Sequence, residues 1–306
     1  MTKRLNLILL ALIALIGLPY YWLLIETSPG DAQPKPVSMA QLNQLAASMP
    51  GPAPDAIEVE LSAYRKLPGN LLAAGIGLKR KLIGAMAFRL PVEGHGPIVI
   101  DSGMTQSTAD CLGMQKFDPG AQARIDRTMK SASLILLTHE HPDHMGGLVT
   151  LASSAESASA MQAVRLNSGQ VSAAASRCKL NWPSGLHLKP AIPSGDPTAV
   201  APGVVVIPAP SHTPGSQMIF VRLANGRRYL FAGDISTLDK NWRELRARSR
   251  LISEHIAPEN RPEVFSWLLT IRKLKREDPL LTIIPGHDFD WLADPDNKAG
   301  LVGLMR

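Results

Sequence analysis

The stretch LILLTHEHPDHMGG, Leu134–Gly147, joins an apolar run to an unusual density of histidines. The apolar residues Leu134–Leu137 are typical of a short buried strand, and the polar residues after them would lie in the loop at its end. Gly146 and Gly147 predict a tight turn that leads into a helix. Imidazole and carboxylate groups are common metal ligands, and one loop can direct several of them to a single point. The stretch therefore predicts a metal site at a strand end, with candidate ligands His139, His141, Asp143 and His144.

Three later segments repeat this arrangement. An apolar, β-rich run ends just before His212 in VVVIPAPSH, before Asp234 in RRYLFAGD and before His287 in LTIIPGH. A sheet whose strand ends converge on one metal site explains all four segments together. Chance histidines in a polar loop would explain the first segment, but not its repetition along the chain.

The ordered motifs T-H-x-H-x-D-H-x-G-G, H-T-P-G, G-D and G-H resemble those of the metallo-β-lactamase fold superfamily of metallohydrolases. The resemblance covers the chain from about Ile57 to the C-terminus. It implies an α+β fold, a four-layer αβ/βα sandwich of two mixed β-sheets with helices outside. The order of predicted strands and helices along the chain agrees with such a sandwich.

The resemblance also implies a dinuclear metal site whose ligands can be assigned by position. The residues that match the ligands of the first ion are His139, His141 and His212. Those that match the ligands of the second ion are Asp143, His144 and His287. Asp234 matches the carboxylate that bridges both ions. These nitrogen and oxygen donors suit two Zn²⁺ ions, and Mn²⁺ or Fe are alternatives. Two such ions would hold a hydroxide as the nucleophile, and Asp143 would act as a catalytic residue by steering the proton of the attacking water.

Three departures from family patterns narrow the reaction. Asp234 stands where true β-lactamases of this fold usually have Cys or Ser. Ser216 stands where thioesterases of the glyoxalase-II type have a second His, and Thr237 stands where acyl-homoserine-lactone hydrolases typically have Tyr. We therefore expect hydrolysis of a small ester, lactone or thioester by metal-held hydroxide. A phosphodiesterase or other phosphoric-ester hydrolase on the same metal site is the alternative.

Nucleic acid is not an expected partner. The nucleases that the motifs resemble have additional domains or arms, for which this chain shows no counterpart. Its net charge of +6 is only a mild basic excess. The expected partners are a small-molecule substrate and a membrane, and the sequence leaves the oligomeric state open.

The N-terminus predicts a membrane segment. Lys3 and Arg4 precede Leu5–Ile25, which carries no charge and is long enough to span a bilayer as a helix. Because basic residues before a span favour the cytoplasmic side, the remainder would lie outside the cytoplasm, on the periplasmic side in a Gram-negative cell. An uncleaved anchor is expected, since no small-residue cleavage site follows. Cleavage as a signal peptide is the alternative, because Gly17 and Pro19 interrupt the apolar stretch.

The predicted domain organisation has three parts, which are a transmembrane anchor (1–25), a linker with a short helix (26–55) and the hydrolase domain (56–306). Cys111 and Cys178 are expected to be free buried thiols, with a disulfide as the alternative in an oxidising compartment. The basic cluster at 79–81 predicts a solvated turn, or a contact with lipid headgroups. The arginines of 245–255 are expected on a solvated helix face.

Overall fold

The computed structural model describes residues 3–154, 158–172, 178 and 180–303. A long helix, α1 (Lys3–Ile25), comes first and buries none of its apolar window inside the protein. Its length and composition suit a membrane span, although a signal sequence would have the same properties. The predicted apolar helix at the N-terminus is therefore present.

Within the described residues, ten strands form two five-stranded sheets. The first sheet has the order β4-β1-β2-β3-β5 and is mixed, because β3 and β5 run parallel while its other neighbours run antiparallel. Its strands are β1 (Glu58–Pro68), β2 (Arg80–Leu90), β3 (Ile98–Ile100), β4 (Lys116–Phe117) and β5 (Leu134–Leu136).

The second sheet has the order β10-β9-β8-β7-β6 and is also mixed, with β9 and β10 parallel. Strands β8 and β9 form the hairpin that Asn225-Gly226 predicts. The strands of this sheet are β6 (Thr198–Ala201), β7 (Val204–Pro208), β8 (Gln217–Arg222), β9 (Arg228–Gly233) and β10 (Thr282–Pro285).

Helices cover the outer faces of both sheets. The described α-helices after α1 are α2 (Met39–Ala46), α3 (Gly69–Leu72), α4 (Gln106–Cys111), α5 (Pro119–Lys130), α6 (Pro142–Ala152), α7 (Ala158–Ala163), α8 (Ser168–Val171), α9 (Asp239–Glu244), α10 (Arg261–Glu277) and α11 (Phe289–Ala293). Helices α5, α6 and α7 contribute to the apolar cluster on the first sheet, and α2 and α10 contribute to the cluster on the second.

Alternation along the strands explains why two layers of core form. In β5, Leu134 and Leu136 point between the sheets, whereas Ile135 lies in the cluster under the outer helices. In an extended strand, successive side chains face opposite sides, so an entirely apolar strand has both faces covered. The predicted four-layer sandwich is confirmed.

The strand directions bring the polar loops to one edge. Strands β3 and β5 are parallel, and β7, β9 and β10 run in one direction within the other sheet. The segments that carry the candidate ligands all follow the C-terminal ends of these strands. The fold therefore gathers residues that are far apart in sequence.

Three expectations are corrected by the structure. Cys111 and Cys178 form a disulfide and are not free thiols. Arg248 does not lie on a solvated helix face, because its side chain is only 12% exposed and pairs with Glu259. The glycines Gly146-Gly147 lie inside α6, which begins at Pro142, and do not form a turn that leads into the helix.

Candidate metal centre

The first group of donors consists of three imidazoles from two loops. His139 Nε2 lies 3.0 Å from His141 Nδ1, which in turn lies 3.1 Å from His212 Nε2. His139 and His141 follow β5 in the first sheet, whereas His212 follows β7 in the second. Three ring nitrogens that face one another at this spacing are suited to bind one metal ion.

The second group joins the start of α6 to the end of β10. His144 Nε2 and His287 Nε2 are 3.3 Å apart, and Asp143 Oδ2 lies 3.6 Å from the same His287 nitrogen. The donor atoms of this group all lie within 4.8 Å of one another. Asp143 and His144 lie in the first turn of α6, so the helix start fixes both side chains.

Asp234 lies between the two groups. Its Oδ2 is 3.6 Å from His212 Nε2, and its Oδ1 is 3.0 Å from His287 Nε2. Oδ1 is buried and has no hydrogen-bond partner of acceptable geometry within the described residues. A buried carboxylate whose two oxygens face different donor groups fits a bridging metal ligand. All seven predicted residues thus meet at one place, and their donor types fit a pair of divalent cations.

Hydrogen bonds to the outer ring nitrogens set the direction of the inner ones. His144 Nδ1 lies 2.9 Å from Asp101 Oδ2, and His287 Nδ1 donates to the carbonyl oxygen of Gly84 at 2.7 Å. Such contacts hold Nε2 of each ring toward the site and fix its tautomer. Asp101 belongs to an Asp-Ser-Gly turn directly after β3, and this turn brings its carboxylate to His144.

Asp101 adopts a strained backbone conformation at the end of β3. Its φ is +60°, in the left-handed region that residues other than glycine seldom occupy. Its Oδ1 accepts from the Thr138 amide at 2.7 Å, and its Oδ2 lies 2.9 Å from Thr138 Oγ1. The strain therefore accompanies a carboxylate that orients both the β5 loop and His144.

Two further carboxylates support the site, and the sequence motifs did not assign a role to either. Glu259 Oε2 lies 2.8 Å from His212 Nδ1 and also accepts from Arg248 at 2.5 Å. Glu140 accepts from Thr213 Oγ1 at 2.7 Å and from the Gly215 amide at 3.0 Å. Glu140 thereby ties the loop after β5 to the loop that carries His212.

Glycine at 286 leaves room for the central carboxylate. A Cβ added at Gly286 would lie 2.4 Å from Asp234 Oδ1 and 2.8 Å from the backbone of Gly233. Real Cβ atoms do not approach other atoms this closely. The glycine of the G-H motif is therefore required by the close approach of β9 and β10 at the site.

A cavity of about 320 Å³ opens beside the donors. It borders His141, Asp143, Asp234 and His287 on one side and Thr237 next to them. Much of its remaining wall is aliphatic. A compartment of this size, with a polar end at the donors, is at the small end of ligand-binding pockets.

Comparison with known proteins places the chain in a family. The model of the β-lactamase superfamily domain matches residues 98–261, which is more than half of the chain. The chain belongs to the β-lactamase superfamily. Membership and the assembled donor set together make it a metal-dependent hydrolase. No curated protein matches this superfamily member significantly.

Solved structures share the fold at low sequence identity. A quorum-quenching N-acyl homoserine lactone hydrolase superposes with a TM-score of 0.60 and 19% identity, over 79% of this chain and 95% of that one. An N-acyl homoserine lactone hydrolase with N-hexanoyl-L-homoserine bound at its catalytic metal centre gives 0.59 and 19%, over 78% and 95%. A probable metal-dependent hydrolase from Staphylococcus aureus gives 0.50 and 16%, over 78% and 91%.

Burial keeps the first group of this superfamily site in the form that binds metal. It lowers the pKa of His139 well below the usual range, and the neighbouring His144 lowers it further. Burial and then the charge of His212 lower the pKa of His141 to about 3. Burial alone would raise the pKa of Asp234, but the charge of His287 holds it well below its usual range. Neutral imidazoles and an ionised bridge are the metal-binding species.

In the second group, the pKa values of both histidines are raised. Burial opposes the charge on His144, but Asp101 and Asp143 outweigh it and raise the pKa of His144 to about 10. Burial likewise opposes the charge on His287, while Asp234 raises its pKa. The pKa of Asp143 is lowered, because His144 and His287 outweigh its burial. Protons therefore compete with metal more strongly here than in the first group.

Proposed function

We propose that this chain is a dinuclear zinc hydrolase that cleaves a small ester, lactone or thioester. The observation that supports this most is the position of Asp234, whose two oxygens face two separate groups of donors. Two Zn²⁺ ions suit the mixture of imidazole nitrogen and carboxylate oxygen, and Mn²⁺ or Fe suit it less specifically. When bound, such a pair supplies Lewis-acid polarisation and a water of lowered pKa.

The chain's own residues have separate roles in this proposal. The first ion would be held by His139, His141 and His212. The second would be held by Asp143, His144 and His287, and Asp234 would be a ligand of both. Asp143 is also the proposed catalytic residue, because its side chain is 18% exposed and borders the cavity. Its carboxylate would accept the proton of the attacking water.

Support for a carboxylic ester or lactone comes from two sides. The fold neighbours include proteins described as N-acyl homoserine lactone hydrolases. Apart from its donor end and the arginines Arg65 and Arg248, the cavity is largely aliphatic, which suits an uncharged acyl group. Thr237 borders the cavity at the position where the sequence motifs of acyl-homoserine-lactone hydrolases imply Tyr, so a hydrogen-bond donor to the developing oxyanion would have to be a different group here.

A phosphoric diester is the second candidate, and Arg65 is the observation that favours it. Arg65 borders the cavity, and its guanidinium donates to the carbonyl oxygen of Leu112 at 2.5 Å. Its Nε is buried without a hydrogen-bond partner within the described residues. Guanidinium groups bind phosphate oxygens in paired geometry, so an arginine side chain in the cavity wall suits such a substrate.

A substrate panel on the full-length protein, loaded with Zn²⁺ in detergent, tests the proposal. The panel contains p-nitrophenyl acetate, a γ-lactone, a thioester and bis-p-nitrophenyl phosphate. We expect turnover of the first three above the last, and loss of turnover in His141→Ala. Preference for the phosphate diester would favour the second candidate. Equal turnover by wild type and His141→Ala would refute both.

We also propose that α1 is an uncleaved anchor and that the hydrolase domain lies outside the cytoplasm. The basic residues before the span support this orientation. The disulfide between Cys111 and Cys178 supports it independently, since disulfides persist in oxidising compartments. The intact mass of the protein extracted from membranes is the test, and a mass that lacks Leu5–Ile25 would refute the anchor.

A further inference from the structure

The C-terminal end of α1 is bound by the segment at 69–76. The Gly75 amide donates to the carbonyl oxygen of Leu24 at 3.0 Å. The side-chain amide of Asn70 donates to the Tyr20 hydroxyl at 3.4 Å. These contacts place one loop of the hydrolase domain directly beside the helix end that would leave the bilayer.

A second segment, 246–256, binds the same helix end. Arg250 donates to Glu26 Oε2 at 3.0 Å, and its guanidinium carbon lies 4.0 Å from the centre of the Trp22 ring. Arg261 donates to the Glu26 carbonyl oxygen at 3.0 Å, so the start of α10 also contacts the residue that follows α1. The anchor is thus attached at two points, and the orientation of the domain relative to the helix is fixed by both.

The two segments that hold the anchor also wall the cavity. Leu71 and Leu72 come from the first segment, and Ile252 and Ile256 from the second. All four are aliphatic. Further aliphatic residues of the same wall are Leu67 and Ile83.

The surface around these segments is suited to a bilayer. Leu78 is 62% exposed and Ile256 is 47% exposed, and both belong to or adjoin the segments that hold α1. Lys79 and Arg80 are exposed beside Leu78, at the end of the β1–β2 hairpin. Exposed aliphatic residues next to basic ones are typical of a surface that contacts acyl chains and anionic headgroups.

From these contacts we propose that the substrate is an ester-bearing amphiphile that enters the cavity from the bilayer, with its acyl chain between the 69–76 and 246–256 segments. The scissile group then reaches the donor end near Asp143. The inference names the substrate class of the proposed hydrolase and rests on that function. The aliphatic wall suits an acyl chain, which a small soluble substrate lacks. The contacts of the same segments with α1 place that wall beside the bilayer.

The physical basis is the burial of methylene groups. Each methylene that moves from water into an apolar wall strengthens binding by about fourfold. A substrate that first dissolves in the leaflet gains this term in the membrane, which raises its local concentration at the cavity mouth. A cavity that opens at the membrane surface therefore exploits partitioning that a soluble enzyme lacks.

Photolabelling tests the path without relying on turnover. The full-length protein is reconstituted in phosphatidylcholine–phosphatidylglycerol vesicles that contain a phospholipid with a diazirine on its acyl chain. After irradiation, peptides are mapped by mass spectrometry. We expect adducts in 67–83 and 252–256 as well as in α1, and adducts confined to Leu5–Ile25 would overturn the proposal.

Chain-length selectivity tests the same wall through catalysis. The ratio of kcat/KM for p-nitrophenyl dodecanoate to that for p-nitrophenyl butyrate, both presented in vesicles, is compared between wild type, Leu71→Gln and the matched control Leu280→Gln. Leu280 is 78% exposed on the turn before β10 and does not border the cavity. We expect the ratio to fall by about tenfold or more in Leu71→Gln and to stay unchanged in Leu280→Gln.

The outcomes separate this inference from the proposed function. Metal-dependent hydrolysis of butyrate with an unchanged ratio in Leu71→Gln would overturn the bilayer path and leave the hydrolase intact. Adducts in the cavity wall without hydrolysis of any ester would overturn the amphiphilic ester as the substrate and the proposed reaction with it. Circular dichroism of each variant shows that a changed ratio does not come from unfolding.

Discussion

The position of Asp234 is the residue-scale feature with the sharpest consequence. Its two oxygens face different donor groups, so replacement by an amide removes one anionic oxygen and the charge that compensates two cations. We expect Asp234→Asn to lower bound zinc from about two ions to about one or fewer, with loss of most ester turnover. Metal content per protein by mass spectrometry measures this. The exposed Asp196→Asn is the matched control, and two retained ions in Asp234→Asn would refute a bridging role.

Glu259 acts through a neighbour and does not touch the donor cluster itself. It fixes His212 and pairs with Arg248, and these two charges outweigh burial and lower the pKa of Glu259 to about 2. We expect Glu259→Gln to weaken zinc binding by about 10- to 100-fold, as for other partners of ligating histidines. Zinc titration in competition with a chelator measures the affinity.

The control for Glu259→Gln has to separate lost orientation from lost folding. Glu93→Gln removes the same charge from an exposed turn, and we expect its zinc affinity to equal that of the wild type. Thermal melting of both variants at saturating zinc checks the fold. An unchanged zinc affinity in Glu259→Gln would show that the His212 ring is held by packing alone.

At the scale of elements, α6 carries two donors and packs tightly behind them. A Cβ added at Gly147 would lie 2.0 Å from the Ser102 carbonyl oxygen and 2.8 Å from Gln122 Nε2. We expect Gly147→Ala to lower the free energy of unfolding by about 1–3 kcal/mol or more, because backbone on the far side has to shift. Because a shift of α6 also moves Asp143 and His144, zinc affinity should fall as well.

Gly120→Ala is the matched control for this helix substitution. Gly120 lies in the first turn of α5, where the nearest atom to an added Cβ is the Asp118 side chain at 3.2 Å. We expect stability that is unchanged or slightly higher, since alanine favours helix. Thermal unfolding of both variants gives the comparison, and equal stability of Gly147→Ala and wild type would contradict the packing argument.

The sequence predicts some residues of the site but not others. Seven donors were predictable, because each follows an apolar run and the fold joins strand ends. Glu259 was not, because it lies in a loop after a basic segment and no apolar run leads to it. In the sequence, Arg248 resembles any solvated arginine, and only the fold brings Glu259 beside it. The role of Gly286 likewise depends on the distance between two strands, which no local pattern contains.

At the scale of the whole molecule, the disulfide closes a long loop. Cys111 and Cys178 are 67 residues apart, and the segment between them includes β5 and α6. Closing such a loop restricts the unfolded chain and stabilises the fold by about 2–4 kcal/mol. We expect Cys111→Ser/Cys178→Ser to melt roughly 5–10 °C below the wild type. Reductant should lower the wild-type melting temperature similarly and leave the double variant unchanged; an insensitive wild type would contradict the pairing.

Proton competition should make the two metal positions unequal. The pKa of His144 is raised to about 10, so at neutral pH its nitrogen must lose a proton before it binds metal. The pKa of His141 is lowered to about 3, so that ring is already neutral. As pH falls from about 8 to about 6, affinity at the second position should fall by roughly a hundredfold because of His144, whereas His139 and His141 at the first position take up no proton over this range.

Equilibrium dialysis at a fixed free zinc concentration across this pH range measures the effect. We expect bound zinc to decline from about two ions to about one, and zinc binding at pH 7.5 to release protons, as shown by calorimetry in two buffers of different ionisation enthalpy. Asp101→Asn removes the carboxylate that raises the pKa of His144, so its decline should shift to lower pH. Simultaneous loss of both ions, or binding without proton release, would show that the two groups do not differ in proton affinity, and the asymmetry of the site would then have to come from geometry alone.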